Sequence, residues 1–408
     1  MTVSRRGLFE SAVAATLLPR SRARAQGSTV RIGVLCDQAG PFSSSGGATA
    51  LVCVNQAIQE FASANRGLSV EVVNADHQNK PDVGAGIARR WLDQDEVDCI
   101  LELSNSAVAL AVQSIVRAKN KVYIVVAAGT TALTGDQCSP NMLHWTFDNY
   151  MLAHSTSSAM LKDGGDSWFF ITADYTFGHQ LERDTTDVVL KSGGRVLGHS
   201  LYPFPETTDF SSLLVQAQAS GAKVLGLANA GADTRNCIKQ AHEFGLNGKM
   251  RIVGLLMYAN DVHAIGLEVA QGLFLTESFY WDLNDNTRSW TRKVVAQSPN
   301  NWPSMSHAGS YAATWHYLKT VADMGAAEAK KDGVATVNRM KAMPFNDPCF
   351  GTGRIREDGR VLVPAYLFEV KRPSESASAW DCYKLRAMLP GEQAFRPLAD
   401  GHCSFIRS

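Results

Sequence analysis

From Val30 onward the chain alternates two hydrophobic periods. Short apolar runs at Val30–Cys36, Leu68–Asn74, Cys99–Leu103 and Val122–Ala127 predict strands. Between them, Gly46–Ala64, Asp82–Asp93 and Ser106–Ala118 carry apolar residues three and four apart and predict helices, the second opening on an acidic turn that suits its dipole. The alternation resumes with a helix at Tyr150–Lys162, a strand at Ser167–Thr172, a helix at Gly178–Lys191 and a strand at Arg195–Leu201. It continues through helix Asp209–Ser220, strand Lys223–Ala228, helix Asp233–Phe244 and strands Arg251–Leu255 and Leu273–Thr276. Helices follow at Thr287–Gln297, His307–Met324 and Gly333–Met343. Past Gly351 the pattern changes: Asp358-Gly359 is a turn signal, and Ala365–Val370 and Trp380–Arg386 alternate like antiparallel strands. Strands and helices at this spacing make βαβ units, so the fold class predicted is α/β, with two doubly wound parallel-sheet lobes. A length of 408 residues, too long for one ordinary core, agrees with two.

In such sheets ligands bind beyond the carboxyl ends of the strands, where loops enter helix N-termini. Three of these loops share a chemistry. The first reads Asp37-Gln38-Ala39-Gly40-Pro41-Phe42-Ser43-Ser44-Ser45-Gly46-Gly47, another is Ser104-Asn105-Ser106, and a third is Gly129-Thr130-Thr131, at the end of the apolar stretch Val125-Val126-Ala127-Ala128. Ser, Asn and Thr at helix starts also serve as plain caps. Three hydroxyl- and amide-bearing loops at one sheet edge nevertheless predict a grip on a small polar group, and a helix N-terminus suits an anion.

Signatures of catalysis are missing. The sequence has no GxSxG, P-loop or HExxH motif, and Gly84-Ala85-Gly86 lies within a helix rather than after a strand, which argues against a dinucleotide fingerprint. The ten histidines are scattered, and His144, His154, His179 and His199 lack metal-ligand spacing. The expectation is a protein that is not an enzyme and carries neither cofactor nor metal.

Charge refines the picture at one end. Formal net charge is zero, but five of the 39 basic and one of the 39 acidic residues fall in the first 25 positions, leaving 34 against 38, net −4. No basic stripe remains to bind nucleic acid, and no apolar run reaches the ~18 residues of a spanning helix. Ser4-Arg5-Arg6-Gly7-Leu8-Phe9, the apolar run Ser11–Pro19 and Ala23-Arg24-Ala25 resemble a twin-arginine export signal ending at residue 25, with leucine and phenylalanine in swapped order. The eight cysteines (36, 53, 99, 138, 237, 349, 382 and 403) form no CxxC pair, which argues against a zinc site; an oxidising periplasm leaves room for one or two bridges of unassigned pairing. Cys36 and Cys99 lie in strand-like runs and read as core.

Taken together, the export signal, "RIGVLCDQAGPFSSSGG", "NSAVALAVQ", "GTTALTGDQCSPN" and "TADYTFGHQLE" resemble the periplasmic solute-binding proteins of ATP-driven (ABC) importers, in the branch that includes the leucine/isoleucine/valine-binding proteins. The resemblance covers about Val30 to the C-terminus. It implies a type I periplasmic binding protein: two lobes, 28–148 with 278–350 and 149–277 with 351–408, that close on a ligand like a flytrap. Crossovers are expected near Phe147–Tyr150, Thr276–Phe279 and Cys349–Gly353. It also implies a periplasmic location, an inner-membrane ABC permease as partner, and a small-molecule ligand.

The resemblance further implies site residues. Asn105 with Ser106, and Gly129, Thr130 and Thr131, fall where first-lobe donors hold a ligand carboxylate; Ser45 falls at a pocket-facing position of the first loop. Phe177, with Tyr175, matches an aromatic lid from the second lobe. One position departs from the amino-acid binders, which place a glutamate after a second-lobe strand to pair with the ammonium. Here Gly254-Leu255-Leu256-Met257-Tyr258 puts Leu256 there, and a buried unpaired ammonium costs several kcal/mol. Ala230 and its small neighbours make the pocket roomy; Asp233 is either a pocket carboxylate or a helix cap; Met257, Tyr258, Tyr280 and Trp281 are further candidates. The ligand expected is a carboxylate-bearing solute with an apolar or aromatic body. A branched-chain amino acid or short amide, a sensing module of the same fold, and an exported enzyme stand as alternatives.

Overall fold

The computed structural model describes residues 29–64 and 67–406; the export-signal reading lies outside the described residues. The first lobe is built on β1 (Thr29–Cys36), α1 (Gly47–Ala64), β2 (Ser69–Asp76), α2 (Pro81–Asp93), β3 (Cys99–Glu102), α3 (Ser106–Ala118), β4 (Val122–Val125) and β5 (Met142–His144). Its strands form one parallel sheet in the order β2-β1-β3-β4-β5. β3 and β4 are buried throughout because helices cover both faces, which is why they read as unbroken apolar runs.

The second lobe follows with α4 (Asn149–Lys162), β6 (Ser167–Ala173), α5 (Thr176–Lys191), β7 (Arg195–Tyr202), α6 (Ser211–Ala219), β8 (Val224–Ala228), α7 (Ala232–Glu243), β9 (Arg251–Gly254), α8 (Ala259–Ile265), α9 (Leu267–Ala270) and β10 (Phe274–Glu277). β7-β6-β8-β9 are parallel. The chain then returns to the first lobe through α10 (Asp285–Val295), α11 (Met305–Met324), α12 (Ala326–Lys331) and α13 (Gly333–Ala342), with α11 packed along α1. In both sheets the strand order reverses at the first strand, and the two switch points face each other.

The end of the chain departs from the expected division. β11 (Phe345–Asp347), β12 (Gly351–Ile355) and β13 (Val361–Leu362) form a small antiparallel sheet, tied to the first lobe where Arg360 bridges His144. Only β14 (Ala365–Val370) and β15 (Tyr383–Leu389) join the second lobe, pairing in the order β10-β14-β15. The third passage between lobes therefore lies between Leu362 and Ala365 rather than at Cys349–Gly353. After α14 (Gly391–Ala394) the tail runs back to the first lobe, where Arg396 donates to the Thr131 carbonyl and Cys403 is disulfide-bonded to Cys138. The reason is covalent and unreadable from spacing: the two cysteines are 265 residues apart. Cys36, Cys53, Cys99, Cys237, Cys349 and Cys382 are free and buried.

Arg360 holds the passages together. Its side chain is fully buried, with the guanidinium donating to the carbonyls of Trp145, Phe147 and Val361, lying 3.7 Å from Asp148 and stacking 4.4 Å from the Phe395 ring. Burial lowers its pKa only to about 10, so it stays charged. Asp148 in turn caps α4 through Met151 N–H. Arg360→Met should cost roughly 3–5 kcal/mol of unfolding free energy, because it strands buried carbonyls and a buried carboxylate. Urea denaturation showing a loss below about 1 kcal/mol would remove this role from Arg360.

Candidate functional site

The loops leaving the two sheets meet in a cleft that the closed lobes leave nearly filled. The first lobe supplies Phe42 and Ser45 after β1, Ser104 and Ser106 around the start of α3, and Ala127, Ala128 and Gly129 after β4. The second supplies Tyr175 and Phe177 after β6, Ala230 after β8, and Leu256 and Tyr258 after β9. All are buried except Tyr175, which is half-buried, and none is charged.

The lobes are closed on each other. Ala232 N–H donates to the Pro41 carbonyl at 3.1 Å, Arg235 to the Ser44 hydroxyl at 3.1 Å, and Asn260 to the Trp302 carbonyl at 2.8 Å. The Ser306 hydroxyl donates to the Tyr258 phenol at 3.3 Å. An aromatic seal crosses the gap: Phe42 of one lobe stacks on Phe204 of the other, and Phe204 on Tyr175. Two glycines permit this approach. A Cβ on Gly129 would lie 2.4 Å from the Asn149 side chain and 2.8 Å from Phe177; one on Gly231 would lie 2.3 Å from the Pro41 carbonyl.

The two walls differ chemically. On the first lobe the Ser106 hydroxyl is buried without a partner, and the N–H groups of Gly129 and Thr130 donate to no acceptor among the described residues. The second lobe presents aromatic rings, Ala230 and Leu256. Behind the first wall sits Glu102 at the tip of β3, fully buried, with both carboxylate oxygens lacking a partner at hydrogen-bond geometry. Its φ of +95° lies off the strand region, and one of its oxygens lies 3.0 Å from where a Gly46 Cβ would be. Burial, and secondarily Asp37, push its carboxyl up to about 8.

Of the residues marked out in the sequence, the fold brings Ser45, Ser106, Gly129, Tyr175, Phe177, Ala230, Leu256 and Tyr258 together on the cleft wall. Asn105, Thr130, Thr131 and Met257 do not line it. Asn105 caps α3, accepting from Ala107 and Val108 N–H at 2.9 and 3.1 Å, so its flanking serines face the cleft instead. The Thr130 hydroxyl accepts from Ala132 N–H, Thr131 opens a short 3-10 turn whose carbonyl Arg396 holds, and Met257 packs against Gly254 in the second lobe's core. Asp233 neither caps nor lines: it accepts from the Tyr202 hydroxyl at 2.7 Å. Tyr280 and Trp281 both donate to the Trp380 carbonyl at the passage between lobes. The sequence reading includes Phe42 and Ser104 only as members of their loops and passes over Ala127 and Ala128 as the end of an apolar run.

Among the described residues, no group of three or more His, Cys, Asp or Glu could hold a metal ion, and no helix is long and apolar enough to cross a membrane.

Two lobes closing on a buried cleft at facing switch points define a ligand-trapping protein. Residues 29–377 match the periplasmic binding protein family model, and the chain belongs to that family. A periplasmic binding protein from Burkholderia mallei is 43% identical over 93% of this chain and all of its own, with a TM-score of 0.89. A branched-chain amino acid ABC transporter periplasmic ligand-binding protein from Burkholderia xenovorans LB400 is 33% identical, covering 92% of this chain and 99% of its own, with a TM-score of 0.79. An ABC-transporter solute-binding protein from Rhodopseudomonas palustris, solved with benzoate, shares the fold at 19% identity, covering 88% and 96%, with a TM-score of 0.78. No curated protein sequence matches at significance. The chain is thus a periplasmic binding protein of the ABC-transporter type, a family that binds solutes without transforming them.

Two outcomes test this geometry. Gly129→Ala should hold the lobes apart, weakening ligand affinity about tenfold or more and enlarging the radius of gyration of the ligand-bound protein in solution scattering. Unchanged compaction would contradict it. The stability that Glu102 contributes is complete below its ordinary value of 4.5 and is lost as pH rises through about 8. Thermal unfolding of Glu102→Gln should therefore fall less steeply between about pH 5 and pH 8.5 than wild type; equal slopes would contradict the raised carboxyl. Glu277, also pushed up to about 8 by burial, keeps part of that slope in both proteins.

Proposed function

We propose that this chain binds a small carboxylate-bearing organic solute with an apolar or aromatic body and delivers it to an inner-membrane ABC permease. The observation that carries the reading is the cleft's two-sidedness. Unpartnered donors at Ser106 and Gly129 stand on one wall, and Leu256, Ala230 and aromatic rings on the other, with no charged side chain lining either. Oriented neutral donors hold a carboxylate without a counter-ion. An α-ammonium would find no carboxylate on the wall to receive it. Structures of the same fold that hold benzoate, 3,4-dihydroxybenzoic acid or 4-hydroxybenzoate support the reading by likeness of scaffold alone.

Export by the twin-arginine route, on the strength of Arg5-Arg6, belongs to the same proposal. Branched-chain amino acid binding is the second reading, favoured by the 33%-identical relative bearing that name. A thermal-shift series with benzoate, 4-hydroxybenzoate, leucine, valine and isobutyramide separates the two. An aromatic acid at a hundred times its dissociation constant should stabilise the protein by roughly 2.7 kcal/mol. A shift with leucine or valine and none with the aromatic acids would overturn the first reading.

A further inference from the structure

Ser104 is a cleft residue whose hydroxyl has a constrained orientation. Its oxygen receives two hydrogen bonds from inside the first lobe, from Asp37 N–H at 3.0 Å and from the His77 ring Nε2 at 3.1 Å. The direction of the second bond follows from the other ring nitrogen. His77 Nδ1 accepts from Asn79 N–H at 3.0 Å, so that nitrogen carries no proton and Nε2 carries the ring's single one. The ring is fully buried, with Asp37, Asp76, Asn79 and Ser104 as polar neighbours. Burial outweighs the two carboxylates and lowers its pKa to about 4, so it is neutral at physiological pH. A hydroxyl oxygen has two acceptor sites and one donor. With both acceptor sites filled from behind, Ser104 has only its hydrogen left to offer. Glu102, behind the wall, lies near enough to the Ser104 hydroxyl and N–H for both to draw its carboxyl down, yet outside hydrogen-bond geometry, and Ser104 itself faces the cleft.

We propose that His77 is a positioning residue that locks the Ser104 hydroxyl as a hydrogen-bond donor into the cleft, making Ser104 a specificity-determining contact for an acceptor oxygen of the solute. This rests on the reading of the solute as a carboxylate and deepens it. Next to the Ser106 hydroxyl and the Gly129 N–H, a third donor of fixed sense rejects a solute that turns its own donor toward this wall, since two hydrogens would then meet.

Two measurements on the full chain test this. Nitrogen-15 NMR of the histidine rings near neutral pH should show His77, assigned by the signal missing from His77→Gln, as the neutral Nε2–H tautomer; an Nδ1–H tautomer or a charged ring overturns the proposal. Benzoate affinity is then compared across variants whose ligand-free melting temperatures are measured alongside. His77→Gln keeps an N–H able to reach Ser104 and should stay within about threefold of wild type, whereas His77→Leu, which lets the hydroxyl turn inward, should lose about tenfold or more. Ser104→Ala should lose a similar factor. Equal losses in the glutamine and leucine variants would mark His77 as merely structural. Wild-type affinity in Ser104→Ala, with the Glu102 titration displaced, would show that the hydroxyl serves Glu102; both results overturn the proposal. If wild type binds no aromatic acid, the solute reading fails on its own, and the tautomer measurement still judges this one.

Discussion

The fold turns on a buried cation placed where the chain passes between lobes. Arg360 reaches from the hairpin before the third passage to the carbonyls of Trp145 and Phe147 in the first, close to the carboxylate that caps α4. A passage between lobes cannot be regular structure at every residue, so its backbone carbonyls need partners from elsewhere. One guanidinium supplies several at once, in a fixed planar fork that lysine could not imitate. With that knot in place, the loops after β1, β3 and β4 and those after β6, β8 and β9 face each other across a constant pivot, and the cleft becomes their common product.

Closure is then a question of small surfaces. The lobes touch through backbone and short side chains, with Gly129 against Phe177 and Gly231 against Pro41, and through a few hydrogen bonds from Arg235, Asn260 and Ser306. Apolar contact adds to these, Phe42 on Phe204 and Phe204 on Tyr175, so the closed state draws part of its stability from the lobes themselves. A solute touching both walls would add to it, which is how a trap couples occupancy to shape. The neutral character of the cleft matters here as well: charged side chains facing each other across it would bias closure with or without cargo.

Much of this architecture was legible in the sequence, for a physical reason. Parallel strands buried on both faces must be continuous apolar runs, so Cys99–Glu102 and Val122–Val125 stood out, and the loops after them were the places to look for chemistry. What the sequence hid was orientation and long-range pairing. Asn105 was the conspicuous residue of its loop, yet the helix it opens claims its side chain, and the serines on either side inherit the cleft. Met257 sits beside Leu256 and faces the opposite way. Glu102 looked like part of a strand; its positive φ and its lack of partners exist only in three dimensions. The return of the tail to the first lobe depends on two cysteines 265 residues apart, a contact no local pattern announces.

That last bond closes a covalent ring from Cys138 to Cys403, ahead of which stand β1 to β4 of the first lobe. Every passage between the lobes, and the whole second lobe, lies inside the loop closed by Cys138 and Cys403. The ring is fastened at one of the cleft's own lips, a few residues from Gly129, with Arg396 gripping the Thr131 carbonyl beside it. Separating the second lobe from the first therefore draws on a ring whose fastening lies beside the cleft.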